Sequence, residues 1–104
     1  MTLRLLRRVE DELAQQIDYY EGERSGLGRE FIERFAAATE QAVRFPRSGT
    51  RVTHPGYAIE VRRFRLSRFP FHLFVAVHAD ELVVLAVAHH RRRPGYWSDR
   101  LGEV

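Results

Sequence analysis

The sequence predicts an α+β domain: an N-terminal helical hairpin packed on one face of an antiparallel β-sheet, in the order β-α-α-β-β-β. Two observations carry this. Apolar residues recur at helical spacing through the first 45 residues, and after Gly56 they recur at a period of two. A length of 104 residues supports one hydrophobic core and not two, so residues 1–104 are expected to form a single domain.

TLRLL at residues 2–6 is short enough for an edge strand. Val9, Leu13, Ile17 and Tyr20 then line one helical face, with Asp11, Glu12, Asp18 and Glu21 on the others. EGERSGLG interrupts with three glycines and a serine. A second helix places Phe31, Phe35, Ala38, Ala42 and Phe45 on one stripe and ends at Pro46 and Ser48-Gly49. The short connector makes the pair an antiparallel hairpin.

Beyond Gly56, Ile59 and Val61 alternate with Glu60 and Arg62, after which Arg62, Phe64 and Leu66 continue in the opposite phase. Such a phase switch suggests a bulge near Arg62-Arg63. In RFPFHLFVAV, Phe69, Phe71, Leu73, Val75 and Val77 share one face, and His72, Phe74, Ala76 and His78 the other. HADEL is a polar turn, and LVVLAVA is apolar on both faces, as a central strand would be.

Charge is unevenly distributed. Through Val43 there are six arginines and nine acids, whereas Arg44–Arg100 hold eleven arginines and four acids, a balance of +7. All five histidines lie in this second half, which is therefore the candidate for an anionic partner. With no cysteine, a disulfide, a thiolate metal site and a cysteine nucleophile are excluded. MTLRLLRRVEDEL has too few consecutive apolar residues for a signal peptide or a membrane span, so a soluble cytoplasmic protein is expected.

Every side-chain cation of the Lys/Arg type is arginine, which cannot donate a proton at neutral pH. Acid–base chemistry must fall to histidine, tyrosine or a carboxylate. VLAVAHHRRRPGYW, residues 84–97, runs a buried-type strand into His89, His90, Arg91, Arg92 and Arg93, then Tyr96 and Trp97. Metal-independent RNA cleavage needs a base, an acid and cations for the phosphorane charge. His89 could act as acid or base, Arg91 or Arg92 could hold the phosphate, and Tyr96 could supply a proton or stack on a base. Equally, His89 could cap the sheet while the arginines meet an acidic partner peptide.

A second basic run, EVRRFRLSRF, places Arg62 with Glu60 and Phe64, and Arg63 with Arg65 opposite. Strand arginines interleaved with aromatics suit nucleic acid. His54, His72 and His78 have no ligand-spaced partner, and adjacent His89 and His90 diverge from a strand, so no metal site is expected. Phosphate-loop, nucleophile-elbow and dinucleotide patterns are lacking, and no cofactor is expected.

Four segments in this order, LAQQIDYYEGE, GREFIERFAAATEQAVRFPRSG, VRRFRLSRFPFHLFVAV and LVVLAVAHHRRRPGYWSDR, resemble the RelE/ParE superfamily of bacterial toxins over nearly the whole chain. The distinctive piece is His89, Arg91, Arg92, Pro94, Tyr96 and Trp97 after an apolar strand, preceded by Arg62 and Phe64. The resemblance implies the toxin of a type II toxin–antitoxin module, bound by a small antitoxin. RelE-like members cut mRNA, usually in the ribosomal A site; ParE-like members inhibit DNA gyrase and lack a recognised nuclease site. The resemblance to nuclease members implies catalytic roles for Glu60, His89, Arg92 and Tyr96, and substrate binding by Arg62, Arg63, Arg65 and Arg91. The lysines of some RelE-like sites are missing. An mRNA endoribonuclease is the leading expectation, with a gyrase inhibitor as the alternative and a non-toxic antitoxin-binding protein as a third reading.

Overall fold

A computed structural model describes residues 1–53 and 58–104. Strand β1 (Thr2–Leu5) leads into helix α1 (Arg7–Glu23), and α2 (Leu27–Arg44) returns antiparallel to it. A 3-10 turn at Pro46–Ser48 precedes β2 (Thr50–Val52), β3 (Glu60–Arg65), β4 (Phe71–His78) and β5 (Glu81–His89), and a second 3-10 turn spans Ser98–Glu103. The five strands form one sheet in the order β1-β5-β4-β3-β2. The expected α+β architecture is present, with two refinements. β2 is an additional strand, and β1 runs parallel to β5, which makes the sheet mixed.

The hairpin is tighter than the glycine-rich segment suggests, because only residues 24–26 separate the helices. Gly26 adopts φ 89°, and the Glu21 carboxylate accepts the Gly26 and Gly28 backbone N–H groups at 3.0–3.1 Å. The start of α2 is thereby tied to the last turn of α1. Val9 is buried on α1, and Phe31, Phe35, Ala38 and Ala42 on α2, as their spacing predicts. Phe45, expected on the same stripe, lies past the helix and is 62% exposed.

The helices cover one sheet face through an aromatic cluster. Phe31 meets Phe69 and Phe71 edge-on at 4.9 and 5.2 Å, and Tyr20 stacks on Phe31 at 5.4 Å. Such ring pairs contribute about 0.5–1.5 kcal/mol each beyond their buried area. On β4, Phe71, Leu73 and Val75 are buried on this side. Phe69 lies outside β4, because Pro70 and the positive φ of Arg68 make the β3–β4 turn.

β3 pairs with β4 in unbroken register, so no bulge occurs at Arg62-Arg63. The register shift falls instead between β4 and β5: Phe74 faces Ala86 while Val75 faces Val84, leaving Leu85 as an extra residue. An extra residue inverts side-chain phase. Val87 and His89 consequently share the helix-covered face, while Val83, which simple alternation would set beside them, points to the other.

Candidate functional site

Cross-strand partners share a sheet face, so the register places every candidate side chain. Glu60 and Arg62 pair with Val77 and Val75, and His89 pairs with Phe71, all on the face beneath the helices. Arg63 and Arg65 pair with Phe74 and His72 on the opposite face. Arg62 and His89 sit four residues apart along β4 and two strands apart across it, about 16 Å on strand geometry. Glu60 is farther still. The structure therefore keeps Glu60 and Arg62 apart from His89.

Each neighbourhood has structural partners. Arg62 Nε donates to Glu60 Oε2 at 2.6 Å, and its Nη1 donates to the Gly49 carbonyl at 3.1 Å. That guanidinium holds the Glu60 carboxyl below the usual carboxylate range, which makes it a weaker base. The half-buried His89 ring lies edge-on to Phe71 at 5.1 Å, and its Nδ1 accepts the Arg91 backbone N–H at 3.0 Å. His89 thus terminates the strand and turns the chain.

The segment after His89 crosses the outer sheet face and closes around an edge. His90 N–H donates to the Pro70 carbonyl at 2.9 Å. Trp97 is buried and stacks on Phe74 at 5.2 Å. β1 pairs with β5 only as far as Val84. Beyond it, Arg100 Nη1 donates to the Leu85 carbonyl at 2.9 Å, and the Glu12 carboxylate accepts the Val87 N–H at 3.2 Å. Arg100 also forms a forked pair with Glu12 at 3.0 and 3.1 Å, and Tyr96 OH donates to Glu12 at 3.0 Å. Burial, followed by the neighbouring Glu12 charge, pushes the Tyr96 hydroxyl up to about 12. The Arg92 guanidinium lies 4.0 Å from the Tyr96 ring centroid, a cation–π contact that holds Arg92 against the folded tail.

Two concavities stand out among the described residues. One, of about 360 Å³, lies on the outer face between Arg63, Phe74, Pro94 and Trp97. The other, about 670 Å³, opens at the end of α2 between Met1, Phe45, Arg47 and Val77. Among the described residues no cluster of three or more His, Asp or Glu side chains could hold a metal ion. His54 lies outside the described residues. No helix among the described residues is long and apolar enough to cross a membrane.

The sequence model of the ParE toxin of the type II toxin–antitoxin system parDE matches residues 3–94. The chain belongs to the ParE toxin family. Among solved structures, a chain of the chromosomal ParDE TA system from P. aeruginosa superposes with a TM-score of 0.71 at 19% identity, covering 86% of this chain and 95% of that one. At that identity the likeness establishes the shared fold. No curated protein matches the sequence.

Several residues central to this ParE-family chain carry weak sequence signals. Glu12 reads as one acid among several on an amphipathic helix, and Arg100 as a cation near the chain end; only the tertiary fold brings them together. His72 and His90 are 18 positions apart in sequence, yet their ring centroids stand 4.3 Å apart.

Proposed function

We propose that this toxin arrests growth by binding DNA gyrase, as its resemblance to ParE-like members implies, and not by cutting RNA. The observation that supports the reading is the separation of Glu60 from His89 across the sheet, with each candidate group already engaged by a neighbour. General acid–base catalysis needs its groups within hydrogen-bond reach of one substrate. Here the carboxylate is paired with Arg62, the imidazole ends β5, and the phenol is committed to Glu12. A binding toxin needs a surface and tolerates this arrangement. The proposed target places the protein in the cytoplasm.

Its partner in the module is a cognate antitoxin, for which we propose the concavity at the end of α2. Phe45 and Met1 expose 62% and 50% of their surface there, beside Arg44 and Arg47. An antitoxin segment carrying an apolar side chain flanked by carboxylates complements that combination.

Induction of the chain in bacteria, with DNA and protein synthesis followed separately, tests the function. Early arrest of DNA synthesis, inhibition of purified gyrase supercoiling, and full toxicity of folded His89→Ala are expected. Cleavage of mRNA by the purified protein, abolished in His89→Ala, would return the function to a nuclease.

A further inference from the structure

The outer sheet face carries a basic cluster that the gyrase reading does not use. His72 on β4 faces Arg65 directly across β3, with Arg63 one step further along the same face. From the tail, the His90 ring covers His72 at 4.3 Å with 30° between ring planes. Toward β5, the partner of His72 is Ala88, which adds no charge. The Phe74 ring flanks His72 at 6.4 Å. Arg63 and Arg65 are exposed and form no ion pair among the described residues, whereas Arg4, Arg8, Arg62 and Arg100 all do. Two guanidinium groups and two imidazoles therefore converge with no carboxylate paired to them among the described residues.

We propose that Arg63, Arg65, His72 and His90 form a binding site for the phosphodiester backbone of a nucleic acid. Arg63 and Arg65 alternate on one strand and stand about 7 Å apart, so each can meet a separate phosphate. The concavity that starts at Arg63 and Phe74 gives an attached sugar or base an apolar floor. The proposal goes beyond the gyrase reading, because the site can hold a strand whether or not gyrase is the target.

Proton linkage supplies the signature. Burial, then the nearby His90, Arg63 and Arg65, push His72 down to about 4, so the imidazole is neutral in the free protein at pH 7. A phosphate seated among these groups offsets the cationic repulsion and lets His72 protonate. If the bound anion restores the ordinary value of about 6.5, affinity rises about twentyfold between pH 7 and pH 5.

Fluorescence anisotropy of the full chain with a labelled 20-base-pair DNA duplex, and separately with a labelled single-stranded RNA, tests the site across pH and salt. Expected are binding to at least one probe that tightens in acid, a salt slope reduced by about one in Arg63→Gln and in Arg65→Gln, and loss of most of the acid gain in His72→Gln. The probe bound more tightly identifies the source of the phosphate. Circular dichroism of each variant confirms folding, and the two arginine variants keep the test decisive if His72→Gln does not fold. Binding unaffected by both arginine variants, an acid gain retained in folded His72→Gln, or binding of polyglutamate in preference to both nucleic acids would overturn the proposal.

Discussion

Replacing Glu12 by alanine removes the acceptor on which the C-terminal segment closes. Its carboxylate receives the Val87 N–H, the Tyr96 hydroxyl and two Arg100 N–H groups. Arg100 and Glu12 side chains are only 9% and 18% exposed, so the loss leaves a largely buried guanidinium without its counter-charge. Breaking such a pair from one side costs about 3–5 kcal/mol. The residual exposure of Glu12 favours the lower end, about 3 kcal/mol, which lowers Tm by about 12–24 °C in a domain of this size. Against a total stability of about 5–15 kcal/mol this is a large fraction. Urea unfolding followed by circular dichroism measures the change, and hydrogen exchange reports lost protection of the Val87 amide. A double-mutant cycle separates pairing from packing. Glu12→Leu combined with Arg100→Met leaves no buried charge and should cost at least about 2 kcal/mol less than the sum of the single changes. Additive single effects, or a Glu12→Ala cost below about 1 kcal/mol, would refute the role assigned to the pair.

Tyr96 has a folded value near 12 against an ordinary 10, so its contribution is complete below pH 10 and is lost as the pH climbs toward 12. An alkaline unfolding titration of Tyr96→Phe should show a weaker loss in that window than the parent chain. His72 is depressed to about 4 from 6.5, so its contribution is present above pH 6.5 and disappears as the pH falls through 4. His72→Gln should flatten acid unfolding between those values. A Cβ on Gly49 would stand 2.6 Å from the Phe64 ring and 2.9 Å from the Arg63 carbonyl, so Gly49→Ala is expected to cost about 1–3 kcal/mol by thermal melting. Phe45→Asp, at an exposed position, should leave Tm within a few degrees yet weaken antitoxin binding at least tenfold by calorimetry; unchanged affinity would move the antitoxin elsewhere.

Helix faces were the most legible part of the fold, because 3.6-residue periodicity marks Val9, Phe31, Phe35, Ala38 and Ala42 as core without reference to any distant partner. β5 was legible as a central strand for a similar reason: Leu82–Ala88 are apolar and buried on both faces. Facing was harder. The extra residue at Leu85 inverts phase inside an uninterrupted apolar run, where alternation leaves no mark. The bulge expected at Arg62-Arg63 came from the apolar residues changing phase between Val61 and Phe64, but both are buried, on opposite faces of an unbroken β3. Arg62 lies on the helix-covered face, its guanidinium held by Glu60 and the Gly49 carbonyl. The candidate site was legible as composition and not as geometry. Imidazole, carboxylate and arginine all occur in the named segments, but strand order and register place Glu60 and His89 far apart while bringing His72 and His90 together.

The short parallel β1 has a consequence for the behaviour of the chain in solution. It covers β5 only to Val84, and the remaining edge is finished by side chains of Glu12 and Arg100. An apolar strand with unpaired edge groups is a template for strand addition by another molecule. Here two charged side chains block that template, and Arg100, which also pins the Glu12 carboxylate in place, does so only while the tail is folded. Chains truncated before Arg100, or caught during synthesis before the tail emerges, would present Leu85–His89 as an open edge. Self-association and chaperone dependence should then follow from incomplete chains well before any loss of the helical hairpin.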